Sequence, residues 1–259
     1  MDKPVALVTG GSSGIGKSTA ELLRKNGYTV YTLSRHSTGE ERHLCADVTD
    51  PAQIQSAIGT LVAHEGRLDL LVNDAGMGIS GPVELSPLED VHAIFDVNFF
   101  GALHCIQSAL PYLRKSPDGR IINLSSVAAP LAIPYQAFYS ATKAAISSMT
   151  KALSNELAHF GIRVSAVLPG DVHTGFTGAR RKTPGGELYP AADHAVTVME
   201  HDELGGMTPE LVAKVILKAA TTRHPKVQYV AGGKYKLFCL IEKLLPVNLC
   251  NKLVGKIYS

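Results

Sequence analysis

Val5-Ala6-Leu7-Val8-Thr9-Gly10-Gly11-Ser12-Ser13-Gly14-Ile15-Gly16 passes from an unbroken apolar run into a glycine-rich turn, and helical spacing follows from Ser18 to Lys25. A short continuous apolar run reads as a strand covered on both faces, the condition of strands in a parallel sheet. Gly10, Gly14 and Gly16 stand where that strand would turn into a helix. They let the backbone approach a pyrophosphate, which the helix N-terminus then stabilises. Structural turns use glycine for the same conformational reasons, so a lone turn of this kind is weak evidence. Its position directly after the first strand adds weight to a nucleotide.

Strand-like runs recur at Thr29 to Leu33, Leu68 to Val72, Arg120 to Leu124, Arg163 to Leu168 and Val227 to Ala231, with amphipathic segments among them. Parallel strands must be joined by crossovers, so helices on both faces of one α/β doubly wound sheet are predicted, in a single domain over residues 1–232. Asp50-Pro51 and Thr208-Pro209 each place a capping residue before a proline in a first helical turn. The chain has 259 residues, 45% hydrophobic and 19% charged, without low-complexity tracts or repeats, which excludes a disordered or solenoid protein. A net charge of +2, no tryptophan and 6% aromatics leave no footprint for nucleic acid. Cys45, Cys105, Cys239 and Cys250 lack paired ligand spacing, as do the ten histidines, so no metal site is expected. With no secretory signal before the first strand, reduced and mostly buried thiols in a cytoplasmic protein are expected.

Two stretches break the alternation. From about His173 to Met207 the periodicity fades through Arg180-Arg181-Lys182 and Pro184-Gly185-Gly186, which reads as a mobile substrate flap. Residues 233–259 carry five lysines against the single acid Glu242, a formal +4 in a chain whose total is +2, together with Leu237, Phe238, Leu240, Ile241, Leu244 and Leu245. Such a basic apolar tail closes a lipophilic pocket, rests peripherally on an anionic membrane surface, or simply docks on the fold's own core. Pocket closure is favoured over membrane contact, because one such helix with few basic groups anchors weakly. A membrane span is excluded, since Glu242, Lys243 and Pro246 interrupt the run well short of roughly 20 residues.

The chemistry concentrates in Tyr139-Ser140-Ala141-Thr142-Lys143. On a helix, a phenol and an ammonium four residues apart share one face, so the cation can favour the phenolate. A free tyrosine ionises near pH 10, so one that transfers protons at neutral pH needs about 4 kcal/mol of help. Ser126 follows the strand Ile121-Ile122-Asn123-Leu124 and would sit at the carboxyl end of the sheet, where ligands bind in open α/β folds. Ser125 is its rival.

In their order, Thr9 to Gly16, Asn73-Asp74-Ala75-Gly76, Asn98, Ser126, Tyr139, Lys143 and Pro169-Gly170 resemble the short-chain dehydrogenases/reductases over roughly the first 175 residues. The resemblance implies a Rossmann-type sheet and a catalytic set of Asn98, Ser126, Tyr139 and Lys143. Tyr139 would be the acid/base, Lys143 would lower its pKa and bind the nicotinamide ribose, Ser126 would orient the substrate oxygen, and Asn98 would hold a water of the proton relay. The family interval to the tyrosine selects Ser126 over Ser125. It further implies a cofactor site of Gly10, Ser12, Ser13, Gly14, Ile15, Gly16, Ser34, Arg35, Asp47, Val48, Asn73, Ala75, Gly76, Tyr139, Lys143, Pro169, Gly170, Val172 and Thr174. Asp74 departs from the family, which more often carries a second asparagine there.

Cofactor choice is read after the second strand, where an acid would bond the ribose hydroxyls of NAD. Here stands Ser34-Arg35, followed by His36. The guanidinium offers a charge-assisted fork to a 2′-phosphate, so NADP(H) is expected, with Ser34 helping. Met77, Ile79, Val127, Ala128, Ala129, Leu131, Ile133, Val172 and Phe176 would flank the reacting carbonyl and are almost all apolar, pointing to a lipophilic ketone, aldehyde or alcohol. The strand-like Val227 to Ala231 followed by the basic apolar tail resembles family members acting on steroids, retinoids or acyl lipids, and the reductive direction and a homo-oligomer are expected. The alternatives are a reductase of carrier-bound 3-oxoacyl chains and a nonenzymatic NADP(H)-binding sensor; retention of all four catalytic residues argues against the sensor.

Overall fold

The computed structural model describes residues 3–258; Met1, Asp2 and Ser259, at the outer ends of the expected domain and tail, lie outside the described residues. Its centre is a seven-stranded, wholly parallel sheet. In chain order the strands are β1 (Val5–Thr9), β2 (Thr29–Ser34), β3 (His43–Cys45), β4 (Leu70–Asn73), β6 (Arg120–Leu124), β7 (Arg163–Pro169) and β9 (Gln228–Ala231). They lie in the order β3-β2-β1-β4-β6-β7-β9, so the winding reverses between β1 and β4. A doubly wound sheet opens a crevice at such a reversal.

Successive side chains of a strand point to opposite faces, and the core divides accordingly. Val5 and Leu7 join Leu71, Ile121 and the buried faces of α2 (Pro51–Glu65) and α4 (Gly101–Leu113). Ala6 and Val8 join Leu70, Val72 and Ile122 beneath α1 (Gly14–Lys25) and α8 (Pro209–Thr221). Both helix starts read from Asx/Thr-Pro pairs hold in position. Asp50 accepts from the amides of Ala52 and Gln53, whereas the Thr208 side chain caps no amide.

α3 (Leu88–Phe95), a π turn (Asp96–Phe100) and α4 form one helical run, Leu88–Leu113, long and apolar enough to cross a membrane by length and composition alone. Here its inner residues Cys105, Ile106, Ala109 and Leu113 pack in the core. Of the four cysteines, all unpaired, Cys105 and Cys239 are buried, Cys250 is half-buried and Cys45 is exposed, so the expected burial holds for only part of the set.

Two expectations are corrected. The stretch 173–207 is not irregular: it holds α6 (Phe176–Ala179), β8 (Arg181–Lys182) and α7 (Ala192–Leu204). β8 pairs with β5 (Ile79–Ser80), and the base of the stretch is closed where Val172 bridges Met207. α7 buries Ala192, Ala195, Val196 and Met199, a helical spacing hidden among polar neighbours. The tail, weighed as one helix, is two, α9 (Gly233–Leu244) and α10 (Val247–Ile257), with Pro246 between them. β3 is an addition; its His43 ring bonds Thr32 and Ser34 of the neighbouring strand, a polar edge without an apolar signature.

Candidate active site

The remaining long helix, α5 (Ala137–Glu156), crosses beside the carboxyl end of β6 and delivers Tyr139 and Lys143 to a cleft of roughly 540 Å³. That cleft opens at the reversal between β1 and β4. Gly10 and Gly14 adopt left-handed backbone, with φ of 67° and 52°, which disfavours any side chain. A Cβ at Gly16 would overlap the Gly10 carbonyl and come within 2.7 Å of an Asp74 carboxylate oxygen, so this helix can lie so close to the strand only as glycine. Ser13 precedes α1 without a side-chain capping bond, and the first turn carries no acid; the Gly16 amide bonds the Asp74 carboxylate and the Lys17 amide the Ser13 carbonyl, which leaves the Gly14 and Ile15 amides for an anion. The loop after β4 is stitched to β1 by the Asp74 and Ala75 amides, both donating to Thr9 Oγ1 at 3.1 Å.

The reacting end is built from two turns. Ser126 is buried, its Oγ accepts from the Ala128 amide at 3.1 Å, and its hydroxyl is near enough to the Tyr139 phenol to favour the phenolate. Ser125 points the other way, donating to the Lys143 carbonyl and sharing a bond with Ser147, both at 2.8 Å, so it braces α5. The interval that separates the two serines therefore coincides with a real division of labour. Lys143 Nζ donates to the Leu124 carbonyl at 2.9 Å and lies 5.7 Å from the centre of the Tyr139 ring.

Burial governs the titration of all three ionisable groups here. It pushes Tyr139 up to about 12, against the lowering effect of the Ser126 hydroxyl. It draws Lys143 down to about 8, opposed by the Asp74 carboxylate, and raises Asp74 to about 7, opposed by Lys143 and the Gly16 amide. The expected lowering of Tyr139 by Lys143 is thus not realised in this structure: the ammonium sits by the ring and desolvation dominates.

Most of the expected cofactor positions converge. Gly10, Ser12, Ser13, Gly14, Ile15, Ser34, Arg35, Asp47, Val48, Ala75, Gly76, Pro169, Gly170, Val172 and Thr174 line the one cleft with Ser126, Tyr139 and Lys143. Arg35 is exposed there, and its guanidinium has no hydrogen-bond or ion-pair partner among the described residues. Ser34 is already engaged, donating to the His36 carbonyl at 2.9 Å, which removes its hydroxyl proton from any phosphate. Asp47 Oδ1 accepts from the amide and hydroxyl of Thr49, so its second oxygen is the one left for a ligand.

Three positions are set behind the wall instead. Gly16 contributes space rather than surface. Asn73 is buried in the sheet, donating to Asn123 at 2.9 Å. Asn98, on the π turn, is buried: it accepts from the Met77 amide at 2.8 Å and donates to the Met77 carbonyl and Thr142 at 3.0 and 3.2 Å. Its side chain therefore locks the loop after β4 to α5. Of the apolar residues expected around the carbonyl, Met77, Val127, Ala128, Ile133, Val172 and Phe176 line the cleft; Ile79, Ala129 and Leu131 do not.

Sequence reasoning missed a second group of residues. Arg180, read as part of a polar flap, is buried and pairs with Glu203 of α7, which also accepts from Thr177 at 2.7 Å. Glu203 and Met199 line the cleft beside Asp171. Tyr235 of α9 donates to Asp171, and its ring occupies the volume that a Cβ at Gly170 would need. Met199 was legible from the helical spacing of α7; the Arg180–Glu203 and Tyr235–Asp171 pairs carry no local signal.

A hydroxyl pair backed by a buried lysine, beside an anion-ready glycine turn in one cleft, is the arrangement of a nucleotide-dependent oxidoreductase. The model of the short chain dehydrogenase family matches residues 4–185. The chain is a short-chain dehydrogenase/reductase. Among relatives of this dehydrogenase, 3-ketodihydrosphingosine reductase of Bacteroides thetaiotaomicron is 37% identical over 267 residues, covering 100% of this chain and 99% of that one. A short-chain dehydrogenase from Streptomyces avermitilis superposes with a TM-score of 0.83 at 29% identity, covering 93% and 94% of the two chains. The 3-ketoacyl-(acyl-carrier-protein) reductase of Brucella melitensis, complexed with NADH, gives a TM-score of 0.76 at 26% identity and covers 90% and 98%. The family assignment makes this chain an oxidoreductase acting between keto and hydroxyl groups on a nicotinamide dinucleotide.

Proposed function

We propose that this enzyme is a cytoplasmic, NADPH-dependent reductase of a long-chain lipid ketone of the 3-ketodihydrosphingosine type. The observation that carries the reading is the Ser126–Tyr139 hydroxyl pair at one end of a cleft whose other end presents the unpartnered Arg35. The relative at 37% identity over the whole chain supports the substrate class, and the apolar wall of Met77, Val127, Ile133, Phe176 and Met199 suits an alkyl chain.

The cleft fits the dinucleotide: the open Gly14 and Ile15 amides at the start of α1 would hold the pyrophosphate, Arg35 the 2′-phosphate, Asp47 and Val48 the adenine, and Lys143 the nicotinamide ribose. Pro169, Gly170, Val172 and Thr174 would face the nicotinamide. Bound NADPH supplies the hydride for the carbonyl carbon. Ser126 Oγ and the Tyr139 phenol orient the substrate by donating to its carbonyl oxygen. Tyr139, protonated at neutral pH, then gives its proton to the alkoxide, and Ser126 keeps the phenolate solvated until it is reprotonated. Asn98 holds the Met77 backbone that forms one wall.

The test is NADPH consumption with 3-ketodihydrosphingosine, with 3-oxoacyl thioesters and with NADH in its place. Turnover of the sphingoid ketone at least about tenfold above the thioesters, with NADPH preferred, supports the reading. A preference for carrier-linked 3-oxoacyl chains would move the enzyme to the other class, and cofactor binding without turnover on any ketone or alcohol would make it a sensor.

A further inference from the structure

α9 is held by one face only. Tyr235 and Cys239 are buried, and they pack with Val127, Ala166 and Leu168. On the opposite side Leu237, Leu240, Ile241 and Leu244, spaced i, i+3, i+4 and i+7, are 55, 53, 37 and 74% exposed. α10 buries no residue fully, and Leu249, Leu253 and Ile257, spaced i, i+4 and i+8, are 46, 47 and 57% exposed. With Phe238 and Val247, nine of the seventeen exposed large hydrophobics of the described chain fall in these two helices. Single exposed apolar residues are ordinary, but exposed apolar stripes on two successive helices mark an interaction surface.

The charges around the stripe have one sign. Lys236, Lys243, Lys252 and Lys256 have no ion-pair partner among the described residues, while Lys234 approaches Asp171 at 3.8 Å. The only acid of the segment, Glu242, is half-buried. On the helical wheel Lys252 and Lys256 border the Leu249–Leu253–Ile257 stripe, and Lys236 and Lys243 border that of α9.

We infer that the outward faces of α9 and α10 together form a docking surface for an anionic lipid bilayer, with the apolar stripe at the headgroup–acyl boundary and the lysines among the phosphates. Amphipathic helices with lysine-flanked apolar faces lie in that interface. Helices of 12 and 11 residues are too short to span the roughly 20-residue core. A second copy of this chain meeting the same patch about a twofold axis would set lysines against lysines, which disfavours self-association there. Closure of the cleft uses the inward side instead, where Tyr258 lines the cleft with Glu203 and Met199. The bilayer surface and the mouth of the cleft therefore share one element.

The inference is independent of which ketone is reduced, because its readout is binding to lipid. Full-length protein is sedimented with vesicles of phosphatidylcholine alone or with about one-third phosphatidylglycerol, at roughly 0.1 and 1 M salt. Binding to the anionic vesicles that falls at high salt is expected. Leu240→Ser with Leu253→Ser, and separately Lys252→Glu with Lys256→Glu, should each weaken it by on the order of tenfold or more, with melting temperature unchanged. Should the leucine variant melt lower, the lysine variant carries the test, since those side chains have no partner to lose. Wild-type protein that stays in solution with both vesicle types, or lysine variants that bind as tightly as wild type, would overturn the inference. An oligomer that dissociates in the leucine variant, without vesicle binding by wild type, would assign the surface to a second copy.

Discussion

Replacing Tyr139 by phenylalanine removes a hydroxyl and little else. The ring packs beside Phe176, with centroids 5.8 Å apart, and phenylalanine preserves that contact. Ser126 keeps its bond from the Ala128 amide, so folding should lose no more than the roughly 0.5–1.5 kcal/mol of one hydrogen bond. The kinetic effect is larger. With its pKa pushed up to about 12, the phenol is protonated in all but about one molecule in 10⁵ at pH 7, so the resting side chain is already the acid that reduction consumes. Loss of that acid should lower kcat for reduction by about 10²–10⁴. Oxidation needs the phenolate, about 7 kcal/mol away at pH 7, so the oxidative rate should rise close to tenfold per pH unit through the neutral range. The assay is initial rate in both directions from about pH 6 to 9, with cofactor affinity and melting temperature measured alongside. A variant retaining more than about a tenth of the wild-type kcat, or a wild-type oxidative rate flat across that range, would refute the acid/base assignment.

Arg35→Ala should weaken NADPH by about 1.5–3 kcal/mol, tenfold or more, and leave NADH nearly unchanged; equal losses in a binding titration would remove its phosphate role. Asp74 is raised to about 7, so its contribution to stability is fully present below its unfolded pKa and is lost as pH rises through about 7. Asp74→Asn should therefore melt higher than wild type at about pH 8, by an amount on the order of 1–3 kcal/mol, and the advantage should shrink toward pH 4; a gap that widens on acidification contradicts this. The same variant removes the carboxylate that supports the charge on Lys143, so the alkaline limb of the reductive profile, set near 8, should move to lower pH. Arg180→Met leaves the half-buried Glu203 with only the Thr177 hydroxyl and should cost about 2–3 kcal/mol, read as a lower melting temperature and a raised KM for long-chain substrates; wild-type values would show that the pair does not hold α6 against α7.

Several parts of the site were legible because they rest on local chemistry. Gly10 and Gly14 need backbone that only glycine adopts easily, and Tyr139 and Lys143 share a face by helical geometry alone. The strands of the sheet were readable as apolar runs because burial on both faces leaves few polar positions, while β3 escaped because its stabilising contacts are polar bonds from His43. Asn98 and Asn73 were legible as members of the site, but not the contacts that fix their side chains. Their amides are spent on Met77, Thr142 and Asn123, partners that lie far away in sequence.

The amino-acid sequence by itself determined the doubly wound sheet, its glycine turn and the serine, tyrosine and lysine at the carboxyl ends of the strands, because each follows from periodicity or from contacts within a few residues. Only the tertiary structure decided the rest. It made 173–207 an ordered cover locked by Arg180 and Glu203, set Tyr235 of the tail against Gly170, and left α9 and α10 with an outward apolar face. Each of these depends on which surfaces meet after the chain has folded, and desolvation, which sets Tyr139, Lys143 and Asp74 away from their ordinary pKa values, comes into being only with that burial.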